Sequence, residues 1–261
     1  MSIETKLSSR LLRVWRRNLL VYMQSWRVRS LPPLLEPIFY LAAFGAGLGA
    51  LISNVAYDGA TISYPRFIAP ALIAIAVMNN AFFETSYASF VRMYYQKTFD
   101  AMMTTPLTVQ EIIAGEILWG ATKAVIVTAI MMAVISAFGL ISYPGGLLLL
   151  PLALLGGLAF GGAGMICTAL VPNIELFNLP IFLFITPMFL FGETFFPLAN
   201  LPGWAQTTAV FLPLTHLVNL SRSFATGTFN ASTLIGIAYL TVFCMATLPT
   251  ALYLMRRRLI K

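Results

Sequence analysis

The chain has 261 residues, of which 59% are hydrophobic and 10% are charged, and its mean hydropathy is +0.85. Soluble domains carry about 25% charged residues because a fold in water needs a polar surface, so this composition excludes a soluble enzyme, a disordered chain and a collagen-like fibre. The net charge of +7, from 16 Lys and Arg against 9 Asp and Glu, favours a membrane protein with basic loops on one side over a protein that binds nucleic acid.

The first 30 residues predict a basic amphipathic helix that lies in the membrane interface. Leu11, Trp15, Leu19, Tyr22 and Trp26 recur at helical spacing, and the nearby arginines fall largely on the other side. Such a helix either anchors the chain to lipid headgroups or also contacts a partner as an elbow helix. We expect no signal peptide, because the first long apolar run follows seven basic residues and lacks a small-residue cleavage site.

Apolar runs predict six membrane spans, since a helix of about 20 apolar residues crosses the hydrocarbon core of a bilayer. Their ranges are 34–52, 67–90, 112–140, 147–171, 176–191 and 234–254. The semi-polar stretch 192–213, interrupted by Pro197 and Pro202, predicts a re-entrant segment before the last span, because irregular backbone at membrane depth must be covered by protein or line a cavity. The sequence therefore predicts an all-α membrane protein that forms one domain over residues 1–261.

Two pairs of glycines have the GxxxG spacing that lets helices approach closely. They are Gly45 with Gly49, and Gly157 with Gly161. The close approach would occur either within one subunit or between two subunits.

The distribution of basic residues predicts that both termini are cytoplasmic. Seven basic residues lie within 1–30, two lie in the loop after the second span, and four lie in the tail after residue 255. The loops of the opposite side hold only Arg66 and Arg222. Cytoplasmic loops carry the excess of Lys and Arg, and six spans satisfy this division whereas an odd number would not.

The loop between the second and third spans, 92–107, is cytoplasmic in this orientation and carries apolar side chains that need a cover. Phe99 and Met103 are four residues apart and share a helix face, with Asp100 beside them. A docking surface on a separate protein would cover them, and a helix lying on the headgroups is the alternative. The candidate coupling residues are Arg92, Tyr94, Lys97, Phe99, Asp100, Met102 and Met103.

Four ionisable residues fall within or beside the spans, where charged side chains are costly and usually functional. They are Glu36, Glu84, Glu116 and Lys123. The predicted orientation places all four in the cytoplasmic half, so they indicate a polar layer that neutralises itself between helices. A gating or structural network, a proton path and direct contact with a substrate are the roles left open.

Aromatic and polar residues accumulate on the predicted outer side. They are Glu193, Phe195, Phe196, Pro197, Trp204, Pro213, His216 and Arg222. Amphipathic aromatic residues at this level form an interfacial belt, or their apolar faces stack on sugar rings. We take Glu193, Phe195, Phe196, Trp204 and His216 as candidates for the substrate path or an outer gate.

The motifs of common enzymes are absent from the sequence. None of the four lysines follows a glycine, so there is no P-loop and no ATPase site on this chain. His216 is the single histidine, and Cys167 and Cys244 lie in apolar runs where a free cysteine behaves as a small hydrophobe. We therefore expect a chain that is not an enzyme and holds no metal or cofactor.

Several stretches together resemble the ABC-2 type transporter permease family over essentially the whole chain, and within it the nodulation-type lipo-oligosaccharide exporter permeases. The stretches are WRRN at 15–18, LEPIFYLAAFGAGLG at 35–49, FETSYASFVRM at 83–93, DAMMTTPLT at 100–108, GEILWGATKA at 115–124, FFPLANLP at 195–202, FLPLTH at 211–216 and RRRL at 256–259. The order of FFPLANLP and FLPLTH before a basic tail is typical of ABC-2 permeases. The GEILWGATKA and LEP stretches resemble the lipo-oligosaccharide branch.

The resemblance implies a homodimer in the bacterial inner membrane that works with two copies of a separate ATPase subunit, which would hold ATP and magnesium. The coupling helix at 92–103 would dock on that ATPase, and the cargo would be a glycolipid or lipo-oligosaccharide. An ABC-2 permease for hydrophobic drugs or other lipids is one alternative. A proton-coupled secondary transporter that titrates Glu84, Glu116 and Lys123 is another. A membrane-embedded enzyme acting on lipid-linked sugars is disfavoured, because the outer side has neither paired carboxylates nor a metal cluster.

Overall fold

A computed structural model describes residues 8–48, 54–57 and 60–260, and these residues are mostly helical. The α-helices are α1 (Leu11–Gln24), α2 (Trp26–Tyr40), α3 (Tyr64–Phe83), α4 (Thr98–Met103), α5 (Val109–Ala137), α6 (Leu149–Leu170), α7 (Asn178–Pro180), α8 (Thr186–Phe191), α9 (Gly203–Val210), α10 (Pro213–Thr226) and α11 (Ala231–Leu259). Stretches of π-helix cover Leu41–Leu48, Glu84–Ala88, Val91–Tyr95 and Ile181–Ile185, and 3-10 turns cover Gly145–Leu148, Ile174–Phe177 and Leu198–Asn200.

Within the described ranges, five helical runs are long and apolar enough to cross a membrane. They are Tyr64–Tyr95, Val109–Ala137, Gly145–Leu170, Ile174–Phe191 and Ala231–Leu259. They correspond to the second to sixth predicted spans, and the chain is an integral membrane protein of the all-α class. The first predicted span, 34–52, reaches beyond the described residues. Its described part, 34–48, is helical, so the count of six spans stays a prediction.

The second span defines the two ends of the bundle. Its helical run of 32 residues, Tyr64–Tyr95, is about 48 Å long at 1.5 Å per residue. It begins beside a short antiparallel hairpin, β1 (Asn54–Tyr57) with β2 (Ala60–Ser63), and ends just before α4. We call these the hairpin end and the α4 end. The hairpin was not expected for an all-α chain, because each of its strands is only four residues long.

Helix α6 lies at the centre of the bundle and packs against α3, α5 and α11. Small residues allow this approach, because a Cβ added at Gly157 would lie 2.7 Å from the Cα of Ala121 on α5. Gly161 faces the side chain of Ile117, which also lies on α5. The pair Gly157 and Gly161 therefore serves packing within this chain. Gly49 of the other pair lies outside the described residues.

The described part of the predicted amphipathic helix, 8–30, lies in two helices rather than one. Helix α1 ends at Gln24, and α2 begins at Trp26 and continues through the predicted start of the first span at residue 34. Val14, Asn18 and Tyr22 are the buried residues of α1. These residues form the face of α1 that packs against α5, so this face of the predicted amphipathic helix contacts protein.

A capping box fixes the start of α5. The hydroxyl of Thr108 accepts from the backbone N–H of Glu111 at 3.3 Å, and the Glu111 carboxylate accepts from the backbone N–H of Thr108 at 2.8 Å. These bonds satisfy two backbone N–H groups that a helix start leaves unpaired. The third span is thereby separated from α4 by only five residues, 104–108.

The predicted re-entrant segment, 192–213, forms a 3-10 turn and the short helix α9 before α10 begins at Pro213. Pro197 and Pro202 precede these two elements, as expected for residues that restrict the backbone at helix starts. Its re-entrant position in the membrane stays a prediction.

Candidate coupling surface and charge cluster

Helix α4 and the turn before it form the exposed tip of the α4 end. Tyr94 and Tyr95 are 52% and 58% exposed, and Lys97 and Asp100 are exposed as well. Lys97 has a left-handed backbone, with φ of 52°, which turns the chain sharply from the second span into α4. We call Tyr94, Tyr95, Lys97 and Asp100 the tip surface.

The apolar side chains of α4 face inward. Phe99 is fully buried and Met102 is 9% exposed, within a cluster that includes Phe90, Ile113 and Met255. The expectation that a partner protein covers Phe99 is therefore wrong, since this chain covers it. The spacing of apolar residues along the loop is the same whether a partner protein or this chain covers them. Met103 is half-buried beside the same cluster.

Arg92 does not belong to the tip surface. It lies inside the bundle, where it bridges two acids. Its Nη1 donates to Oε1 of Glu84 at 2.8 Å, and its Nη2 donates to Oε2 of Glu116 at 2.6 Å. The same guanidinium donates to the hydroxyl of Ser89 at 3.1 Å. A planar guanidinium suits this role because it presents several N–H groups in fixed directions.

Further donors complete the partners of the two carboxylates. Glu84 accepts from Nζ of Lys123 at 2.9 Å and from the indole N–H of Trp119 at 3.1 Å. Glu116 accepts from the amide of Asn18 at 2.8 Å and from the hydroxyl of Ser89, at 2.7 Å. We call Asn18, Glu84, Ser89, Arg92, Glu116, Trp119 and Lys123 the charge cluster.

The charge cluster joins three parts of the chain. Asn18 comes from α1, Glu84 and Arg92 come from the π-helical end of the second span, and Glu116 comes from α5. Two acids face two cations, so the cluster as described is neutral. A neutral, fully hydrogen-bonded group is the form in which buried charges are tolerated, and removing one member leaves another charge uncompensated.

The charge cluster lacks one of the expected acids and includes a cation that was assigned elsewhere. Glu84, Glu116 and Lys123 come together as the predicted polar layer requires. Glu36 does not join them, because α2 places it beside Phe39 and Tyr40 along a separate apolar groove. Arg92, which was assigned to the coupling surface, supplies the second cation.

The candidate residues of the outer side do not all converge. Phe195 packs between Phe44 and Phe189, with ring centroids 5.4 and 5.1 Å away. Phe196 and Trp204 are 50% and 65% exposed. Only Glu193 and His216 of the five candidates line the same cavity.

Arg222 is buried at the hairpin end, whereas the sequence predicted it in a loop of the outer side. Its Nε donates to the carbonyl oxygen of Phe67 at 3.1 Å, and its Nη2 donates to the carbonyl of Glu193. The guanidinium also lies 3.7 Å from the centroid of the Phe67 ring, in cation–π geometry. Arg222 therefore holds the segment after the fifth span against the start of the second span.

Glu193 is also buried, and its carboxylate lies 3.7 Å from Nη1 of Arg222. Burial raises the pKa of the Glu193 carboxyl above its ordinary value, and the charge of Arg222 opposes that rise without cancelling it. The residue has a left-handed backbone, with φ of 57°, which a non-glycine residue rarely adopts.

Comparison with known proteins agrees with this architecture. The pattern that defines the ABC-2 type transporter family matches residues 9–226. The chain belongs to that family. Nodulation protein J of Rhizobium leguminosarum biovar viciae is 38% identical over 96% of this chain and 95% of its own length. Nodulation protein J of Rhizobium meliloti strain 1021 is 36% identical over 94% and 92%. The inner membrane transport permease YadH of Escherichia coli K12 is 23% identical over 89% of each chain.

Three members of the charge cluster in this ABC-2 chain were not predicted from the sequence: Asn18, Ser89 and Trp119. They carry no charge, so the pattern of ionisable residues does not include them. A signal for Arg92 was present, because it follows Glu84 by eight residues along one helical run and its side chain can reach back toward that acid. Asn18 had a weaker signal, as a small polar residue beside the apolar face of α1.

Proposed function

We propose that this ABC-2 chain is the permease subunit of an exporter in the bacterial inner membrane. Two copies would form the membrane-spanning unit, and two copies of a separate ATPase subunit would bind ATP and magnesium. Both termini would be cytoplasmic, which is supported by the basic residues near the α4 end and in the tail. The proposed direction is outward, and the proposed cargo is a glycolipid or a lipo-oligosaccharide, on the resemblance to the nodulation-type permeases.

The observation that carries the coupling part of the proposal is the position of Arg92. It lies one turn before the tip surface and bonds to acids of two spans at once. A push on α4 from a closing pair of ATPases would therefore reach the second and third spans as well as the helix that it contacts. ATP can shift the permease only if it favours one arrangement of the ATPase pair over the other.

A polar face on the second and third spans supports a dimer. Asn79, Asn80 and Lys123 line a surface groove of about 340 Å³ together with Phe83 and Tyr87. Polar side chains facing lipid are costly, so such a face is covered by protein or lines a pathway. We propose that the second copy of the chain and the cargo cover it.

The buried acids support an ATP-driven mechanism over a proton-driven one. Glu84 and Glu116 each bond to Arg92, and Glu84 also bonds to Lys123. These ion pairs join the second and third spans, which favours a structural role for both acids over a proton path. The outer acid Glu193 is paired with Arg222 at the far end of the bundle.

The first experiment is purification of the tagged chain in a mild detergent, followed by mass spectrometry of the proteins that come with it. We expect a soluble protein with a P-loop at equal stoichiometry. Vesicles that contain both proteins should move a fluorescent lipo-oligosaccharide in an ATP-dependent way. Transport by the chain alone under a pH gradient would contradict the ABC mechanism. ATP-dependent transport of hydrophobic drugs without transport of the glycolipid would contradict only the cargo.

A further inference from the structure

The hairpin end contains a cavity with polar and apolar walls that the coupling mechanism does not use. Its volume is about 350 Å³, within the range of about 300–1,000 Å³ that small-molecule pockets occupy. It lies between α10, the start of α11, the hairpin and the turn after Glu193. Each of these elements contributes side chains to its wall, so the cavity is a product of the fold rather than of a single loop.

One face of α10 provides the polar wall. His216, Asn219, Leu220 and Ser223 line the cavity, and their spacing of three, four and seven residues places them on one side of the helix. Gly236 on α11 lies opposite. A Cβ added there would lie 3.1 Å from Cγ of Leu220, so the glycine allows the two helices to approach at the edge of the cavity.

The cavity offers hydroxyl groups without protein partners. Ser223 and Ser232 both line it, and neither hydroxyl makes a hydrogen bond to the part of the chain that the structure describes. A hydroxyl donates one hydrogen bond and accepts two, so these side chains are free to bond to a ligand. His216 is held in place, because its Nε2 donates to the carbonyl of Val210 at 2.9 Å and its ring stacks on Tyr239.

The described part of the lining offers a charged ligand no unpaired partner. Glu193 is the one charged residue among the described residues of the wall, and its carboxylate faces Arg222 at 3.7 Å. An anion would find no unpaired cation there, and a cation would compete with Arg222 for the same carboxylate. Leu198, Leu220 and Ile235 add apolar surface to the same cavity. Hydroxyl groups beside apolar patches match the surface of a sugar ring.

We infer that this cavity binds a neutral, hydroxyl-rich ligand of the size of one or two sugar rings. The inference rests on the proposed function in one respect, since the sugar head of the exported glycolipid is the ligand that the transport cycle would bring to this end. A free saccharide on the outer side has the same chemistry.

The test uses the full-length chain in lipid nanodiscs, prepared without maltoside or glucoside detergents because these would occupy a sugar site. The probe is cellobiose, a neutral disaccharide, and binding is followed by saturation-transfer NMR and calorimetry. The test variant is the double change Ser223→Ala with Ser232→Ala, which removes two free hydroxyls without breaking a described hydrogen bond. The matched control is Thr207→Val, which removes an exposed hydroxyl on α9 outside the cavity.

We expect saturable binding to the wild type and to Thr207→Val, and binding about tenfold weaker to the double variant, since one hydrogen bond is worth a few-fold in affinity. Ser223→Phe, which fills the cavity, should abolish binding. Glucuronate and choline should not bind. Absence of disaccharide binding to the wild type, equal binding by the double variant, or preference for either charged probe would each overturn the inference.

Export in vesicles with the ATPase separates the two sources. If the cavity takes the sugar head of the cargo, the double variant exports more slowly and the free disaccharide inhibits wild-type export. If it takes a free saccharide, binding is weakened in the double variant while export is unchanged. Glycolipid export by a wild-type chain that binds no sugar would refute this inference and leave the proposed function intact. Sugar binding by a chain that exports no glycolipid would refute the proposed cargo alone.

Discussion

The indole N–H of Trp15 donates to the hydroxyl of Thr122 over 2.8 Å, across 107 residues of sequence. Tyr22 of the same helix packs edge-on against Trp119, whose own indole bonds to Glu84. Helix α1 is thus fixed to the third span at two points, one at Thr122 and one at Trp119, which belongs to the charge cluster. A helix attached in this way moves with the third span, which an anchor lying on headgroups would not do.

Replacing Arg92 should destabilise the protein strongly. Arg92→Gln leaves Glu84 and Glu116 without their shared cation, and breaking a buried ion pair in this way costs about 3–5 kcal/mol. Arg92→Lys should recover only part of that loss, because an ammonium group lacks the planar fork that reaches both acids. The measurement is the thermal unfolding midpoint in detergent. Arg66→Gln removes an exposed arginine and is the control; equal midpoints for the two Gln variants would contradict the bridging role.

The tip surface should couple ATP hydrolysis to export. The double change Tyr94→Ala with Asp100→Ala removes exposed side chains, so it should leave the unfolding midpoint unchanged and lower ATP-dependent export about tenfold, as expected for anchor residues of an interface. Phe99→Ala should act differently, by opening a cavity in the inner cluster at a cost of about 3–5 kcal/mol. Tyr253→Ala, an exposed tyrosine of α11, is the control for export. Full export by the double variant would contradict the docking assignment.

Two copies of the chain should meet at the polar face of the second and third spans. Phe83→Cys, in a chain whose two native cysteines are replaced by Ala, should form a disulfide-linked dimer under mild oxidation because Phe83 is 36% exposed on that face. Val242→Cys is the control, since Val242 is 66% exposed on α11. Non-reducing gel electrophoresis distinguishes them. Cross-linking of the control but not of Phe83→Cys would place the interface elsewhere.

Stability should fall as pH rises because of Glu193. Burial raises the pKa of this carboxyl in the folded state, so between its ordinary value and the raised one the folded protein holds more protons than the unfolded chain. The folded state is therefore favoured at the acidic side of that window and loses stability as pH rises through it. Unfolding midpoints measured across mildly acidic to neutral pH should show this slope, and Glu193→Gln should flatten it. Glu175→Gln, at an exposed acid, should leave the slope as in the wild type.

The spans were predictable from sequence because their signal is local. The predicted ranges 147–171 and 176–191 differ from Gly145–Leu170 and Ile174–Phe191 by at most two residues at any end. A run of apolar residues has to be helical in lipid whatever its neighbours are. The capping box that begins α5 is also a local signal, because Thr108 and Glu111 are three residues apart.

The arrangement of side chains was less predictable because it depends on residues distant in sequence. Phe99 has the pattern of a docking residue, and only the position of Phe90 and Met255 shows that it is buried. Arg92 and Arg222 were each taken for residues of loops, whereas both lie inside the bundle. Long arginine side chains can reach either solvent or the interior, and the choice depends on acids and carbonyl groups supplied by other helices.

The burial of Arg222 bears on the order in which the chain is made. The carbonyl of Phe67, at the start of the second span, receives its bond from a guanidinium that the ribosome adds 155 residues later. Until α10 has been synthesised, the hairpin end of the second span lacks the side chain that ties it to the turn after Glu193. The bundle can therefore insert span by span, but this end closes only after α10 has been made.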